Sequence, residues 1–204
     1  LGALDASLGR LAALLNGSMA NLTYATAVAR PQSPGAQLES MLYVGWALGN
    51  ASEAMSYYAG GEAGEADQEA LEAMSLAQRA ESYLDQNSYL ISAPAYDMLY
   101  ALARDAYVLG YFVNYTAARH PEPPAQYLGE LREGAEGAAY LSESLDLSAE
   151  AYSLALAGDY AAANATLSEA ESLFWESAPY VENFTAFLST VSYTHLTLPT
   201  SDLV

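Results

Sequence analysis

Asparagine usage carries the one pattern in this chain that points to a specific chemistry. There are seven asparagines, and six open an Asn-x-Ser/Thr triplet: Asn16 (NGS), Asn21 (NLT), Asn50 (NAS), Asn114 (NYT), Asn164 (NAT) and Asn183 (NFT). That triplet is the acceptor for N-glycosylation. Ser and Thr together make up about one residue in seven, so six hits in seven by accident is on the order of one in ten thousand. One triplet is a weak motif, whereas the set is a strong one. Oligosaccharyltransferase acts outside the cytoplasm, so the set implies export. Cysteine is absent, which argues against a eukaryotic secreted domain of this size and fits an archaeal cell-surface protein better.

The remaining reactive side chains are sparse. His120 stands before Pro121 with no Glu-x-x-His partner, so no metal is expected there. Glu62, Glu65, Asp67, Glu69 and Glu72 form an acidic run, read as carboxylates complementing a helix N-terminus. The run lacks the Asp-x-Asp-x-Asp-Gly spacing of a calcium loop. Arg104 beside Asp105, with Asp97 two turns earlier, reads as a paired, buried charge network. There is no Gly-x-Ser-x-Gly elbow, P-loop or dinucleotide fingerprint. No catalytic residue, cofactor or metal is therefore expected. The 17 tyrosines could line an aromatic groove for glycans, but helix interfaces are the commoner use.

Twenty-five acidic residues face six basic ones, a net charge of −19, and every basic residue is arginine. Such a chain repels polyanions, so neither nucleic acid nor an anionic membrane surface is an expected partner. A protein partner or a surface-layer component remains open. High acidity without lysine suits both salt adaptation and a GC-rich genome.

The elements that must position these residues read as helices. The stretch Ala95 to Ala118 is apolar on nearly every face, which places it inside a bundle or in a membrane. Its longest charge-free run, Ala106 to Ala118, falls short of the roughly 20 residues a span needs. It is expected as the central helix of an all-α antiparallel bundle or array of six to seven helices.

Leu1, Leu4, Leu8, Leu11, Leu15 and Leu22 share one face of a helix expected from Ala3 to Ala29. Asn16 and Asn21 lie roughly 105–115° from that stripe. Further helices are expected over Ala36–Tyr58, Glu65–Gln86, Ala125–Leu145 and a closing pair, with Tyr180 to Leu188 beyond a kink at Pro179. Gly60, Gly61 and Gly64 break the chain, Pro94 sits in a first turn, and His120 to Pro124 ends the apolar helix. Gly129, Gly134 and Gly137 suggest close helix approach. Asn114 and Asn164, on a buried helix and beside a buried stripe, are the two sequons expected to stay unmodified.

Repetition shows in two places. Met41-Leu42-Tyr43 recurs as Met98-Leu99-Tyr100, and the same 57-residue offset aligns Tyr83-Leu84 with Tyr140-Leu141, which suggests a duplicated hairpin. Over residues 148–175, Ala151, Gly158-Asp159-Tyr160, Ala163, Leu167 and Ala170 follow a different spacing. That stretch resembles a single degenerate tetratricopeptide repeat. It lacks the aromatic residue of the repeat's first helix, and Trp175 stands where the closing proline is expected.

The last residues have another resemblance. Val191 to Thr200 read VSYTHLTLPT, similar residue for residue to a translated frame of the transposon adapter used in short-read sequencing. This implies a metagenomic fragment whose natural sequence stops near Thr190, with residues 191–204 a non-native tail that packs little. The chain starts at Leu1 in helical register, so an upstream segment is expected too. Residues 1–190 then form one all-α domain. The expected function is that of a non-enzymatic, glycosylated, extracytoplasmic module of a surface protein. The alternative is a cytoplasmic scaffold resembling tetratricopeptide proteins.

Overall fold

The computed structural model describes residues 34–195 along the backbone, with side chains at residues 35–188. Among these residues the protein is all-α, with no strand. The expected helix over Ala3–Ala29 with Asn16 and Asn21, and the tail beyond His195, lie outside the described residues. The helices are α1 (Pro34–Gly60), α2 (Ala63–Asn87), α3 (Ala93–Ala117), α4 (Leu128–Leu156), α5 (Tyr160–Glu176) and α6 (Ala178–His195). A single 3-10 turn, Ala125–Tyr127, precedes α4.

Local chemistry sets most of these boundaries. α1 and α2 are joined by Gly61 at φ +83°, and α4 and α5 by Gly158 at φ +86°. Only glycine adopts this left-handed conformation without penalty. Both turns close with the same pair of backbone bonds. Gly61 N–H donates to Tyr58 O and Glu62 N–H to Tyr57 O; Gly158 N–H donates to Ala155 O and Asp159 N–H to Leu154 O. This Schellman arrangement satisfies carbonyls that the helix end would otherwise leave open. Asp159 then caps α5, accepting from Ala162 N–H at 3.0 Å. Pro94 occupies the first turn of α3 after Ser92, where its missing N–H removes no bond.

The helices pack mostly as antiparallel neighbours, with α1 and α3 parallel to each other. α1 lies against α2, α3 and α4; α2 also packs on α3; α4 also carries α5 and α6. Residue numbers fall on α4 as they rise on α1. On the α1–α4 seam Gln37 Nε2 donates to Tyr152 OH at 2.8 Å, Ser142 Oγ to Gly45 O at 2.8 Å, and Ser52 Oγ to Ala135 O at 2.7 Å. The core runs along this seam as two successive clusters. One holds Met41, Leu48, Leu99 and Leu141, and the other Met55, Tyr58, Val113, Leu131 and Phe184. Each large side chain buried here contributes about 1.5–3 kcal/mol.

Three expectations change. First, the helix expected to end at Leu145 and the first helix of the closing pair are one 29-residue helix. Asp146-Leu147-Ser148 contains no Gly or Pro, and Leu145 and Ala149 are both buried on one continuous face. Second, the apolar helix forms over Ala93–Ala117, but among the described residues α1 is the more enclosed. α3 turns Tyr111 and Tyr115 outward, 49% and 46% exposed, because tyrosine is apolar in composition counts yet tolerates water through its hydroxyl. Third, there is no duplicated hairpin. The 57-residue offset does bring α1 onto α3, yet α1 and α2 pack as a pair while α3 and α4 do not. Tyr58 is buried where its counterpart Tyr115 is exposed.

The glycine expectation divides. A Cβ on Gly134 would meet the Phe184 ring at 2.7 Å, and one on Gly137 would meet Tyr180 at 3.0 Å, so both serve the α4–α6 approach. Gly129 has nothing within 4 Å.

Candidate functional sites

The four described sequons do not converge. Asn50 lies on α1, Asn114 on α3, Asn164 on α5 and Asn183 on α6, each inside its helix. Asn164 and Asn183 are exposed, while Asn50 and Asn114 are half-buried. Asn164 therefore faces water while it flanks the buried stripe that begins at Ala163. Burial on α5 is confined to Ala163, Ala170 and Phe174, and the next residue along is already outside that stripe. For Asn114 the expectation of a structural role agrees with its geometry: its amide donates to Asp67 on α2.

Three of the four sequon hydroxyls already have work in the fold. Ser52 bonds across the α1–α4 seam to Ala135 O. Thr116 donates to Phe112 O, and Thr185 donates to Val181 O at 2.7 Å. Bonds of the second kind, to the carbonyl four residues back, are a common use of helical Ser and Thr.

The charged groups of α3 point different ways. Asp105 is fully buried, Arg104 is half-buried and Asp97 is exposed. Asp97 is exposed, so it is not part of a buried network. Arg104 acts on α2. Burial raises the Glu81 carboxyl above its ordinary range, the Arg104 charge opposes that rise, and Asp85 adds to it.

The acidic run opens α2, with Glu62 just before it and Glu65 in its first turn. Burial, then repulsion from Glu53 and Glu72, raises the Glu69 carboxyl. An open cleft of about 450 Å³, lined by Glu53, Ser56, Tyr57 and Glu62, lies at the α1–α2 turn. No group of three or more His, Cys, Asp or Glu among the described residues is placed to hold a metal ion. His120 is exposed, and its carbonyl accepts from Tyr58 OH at 2.9 Å. No helix among the described residues is long and apolar enough to cross a membrane.

Tyrosine contributes something the sequence reading missed. Tyr83 on α2 donates to Glu39 on α1, and Tyr96 on α3 donates to Asp85 on α2, each at 2.7 Å. The carboxylate of Glu136 on α4 raises the hydroxyl of Tyr180 on α6 above its ordinary range. The two hydrogen-bonded clasps each hold the edge of a helix–helix seam. The available signal was compositional: a chain with many carboxylates, no lysine and 17 tyrosines has phenols as its most plentiful long-reach donors.

The α4–α5 hairpin has the tight turn expected from Gly158-Asp159-Tyr160. Its helices of 29 and 17 residues, however, already exceed the roughly 34 residues of a whole tetratricopeptide repeat. No family model, curated protein or solved structure matches this chain.

Proposed function

We propose that this chain is a non-enzymatic, glycosylated helical domain of a cell-surface protein, displayed outside the cytoplasm as an interaction or sensor module. The observation that carries the reading is the use of six of seven asparagines in sequons. Exposure of Asn164 on α5 supports it, since a glycan there extends into solvent. The acidic surface supports it as well, by keeping the domain soluble and apart from anionic lipid. The scattered carboxylates and the open cleft offer a surface for contact with a partner.

The test is export of the chain from a glycosylating archaeal host, followed by intact-mass measurement. The expected result is a mass excess in whole glycan units that disappears when all six sequon asparagines become glutamine. An exported chain with its bare polypeptide mass would end the proposal.

A further inference from the structure

We infer that, among the four described sequons, Asn164 is the one the folded domain leaves open to glycosylation, whereas packing withholds Asn50, Asn114 and Asn183. This inference rests on the export reading above and adds which site is used. An N-glycosylation triplet belongs to surface loops, and all four described triplets are helical. Each must therefore unwind locally to be accepted, and the cost of unwinding depends on what its three residues touch.

Asn50-Ala51-Ser52 is the most firmly held. Ala51 is fully buried and Ser52 nearly so, with its hydroxyl bonded to Ala135 O on α4 at 2.7 Å. Extending this triplet means parting α1 from α4. Asn114-Tyr115-Thr116 is held by its first residue, whose amide bonds to Asp67 across the α2–α3 seam. One turn earlier the two helices are so close that a Cβ on Gly110 would lie 2.7 Å from Ala70 O. A glycan on Asn114 would have to leave beside that closure. Asn183-Phe184-Thr185 presents an exposed asparagine, but Phe184 is 3% exposed and lies against Gly134. Extending that triplet pulls an aromatic ring from the core.

Asn164-Ala165-Thr166 has none of these restraints. Asn164 and Ala165 are exposed and Thr166 is half-buried. The triplet lies in the second turn of the 17-residue α5, which leans chiefly on α4. Unwinding from the Gly158 turn through Thr166 gives up Ala163 as its only buried residue. Helix ends with few buried contacts open most readily.

The experiment is site-resolved glycopeptide mass spectrometry on the exported full chain. Asn114, Asn164 and Asn183 all have threonine two residues on, so they compare without a difference in hydroxyl type. Occupancy at Asn164 is expected to exceed that at Asn114, Asn183 and Asn50 several-fold. Asn164→Gln is expected to remove one glycan mass and leave helix content and melting temperature unchanged. Equal occupancy at all four sites, or occupancy at the others without Asn164, overturns the inference and leaves the export reading standing. No glycan at any of the six sequons overturns both.

Discussion

Tyr83 and Glu39 face each other across the α1–α2 seam, the phenol of one donating to the carboxylate of the other at 2.7 Å. The Tyr83 ring also lies 5.8 Å from that of Tyr43, so its position is held by packing as well as by the bond. The Tyr96–Asp85 pair repeats the arrangement between α2 and α3, where Tyr96 stacks on Tyr100. Burial and the Glu39 bond push the Tyr83 hydroxyl up to about 12; for Tyr96 the Asp85 bond leads and burial follows, again to about 12.

These clasps make stability sensitive to alkali. A phenol with a raised folded pKa contributes stability that is fully present below its ordinary value near 10 and is lost as pH rises through about 12. Tyr83→Phe and Tyr96→Phe keep the rings and delete the donors. Each is expected to lower stability at pH 8 by about 1 kcal/mol or less, as exposed bonds do. The difference between wild type and variants should vanish at pH 12 and above. Denaturant midpoints at the two pH values check this, and a gap that persists in alkali would show that the bonds are not its source.

Two helical glycines, one closely approached and one open, predict opposite signs of substitution. Gly110→Ala places a Cβ 2.7 Å from the Ala70 carbonyl oxygen, a backbone atom that cannot swing aside. A loss of about 1–3 kcal/mol is expected. Gly129→Ala meets nothing within 4 Å, and the higher helix propensity of alanine should add up to about 1 kcal/mol. Thermal unfolding of the two variants, side by side, measures both.

Crowded carboxylates predict that mild acid and salt both stabilise. Glu69, Glu81 and Asp146 have raised folded pKa values, burial being the largest cause in each case. For a carboxyl shifted this way, ionisation opposes folding above its folded pKa. The penalty is relieved as pH falls through that value towards the ordinary one. Screening of the net charge of −19 acts in the same direction. The denaturation midpoint should rise from pH 7.5 to pH 5, and at pH 7.5 it should rise with added sodium chloride. A fall on acidification to pH 5 would refute the assignment of strain to these carboxyls.

Ser52 and Asn50 separate a structural hydroxyl from an acceptor triplet. In a host that does not glycosylate, Ser52→Ala should cost about 1 kcal/mol, because it deletes the bond to Ala135 O. Asn50→Gln, on a half-buried position with no such bond, should be close to neutral. Equal losses in the two variants would mean that Asn50 holds the fold as firmly as Ser52.

Shortening the chain tests the adapter resemblance. The helical backbone of α6 continues to His195, past the expected junction at Thr190. Among the described side chains, the buried anchors Val181, Phe184, Phe187 and Leu188 precede that junction. Ending the chain at Thr190 should remove about one turn of helical circular dichroism and leave the melting temperature unchanged. A drop of several degrees would place residues of the tail in the fold.

What the sequence determined by itself is local. Pro94, the glycines at 61 and 158, and the apolar periodicity of each segment specify where helices start, stop and turn, because those choices depend on backbone sterics and neighbours in the chain. The all-α class and the sequon positions follow from the same short-range information. Tertiary structure alone decided which surfaces meet. Tyr58 and Tyr115 occupy matching places in the 57-residue offset, yet one is buried and the other exposed, because only α1 has neighbours on that side among the described residues. The merger of two expected helices into α4 also escaped the sequence. Asp146-Leu147-Ser148 permits a helix as readily as a connector, and the continuous buried face of Leu145 and Ala149 selects the helix. Asn164 and Asn114 likewise share a motif and differ only in what lies across from them: open solvent for Asn164, and for Asn114 the carboxylate of Asp67, 47 residues away in the chain.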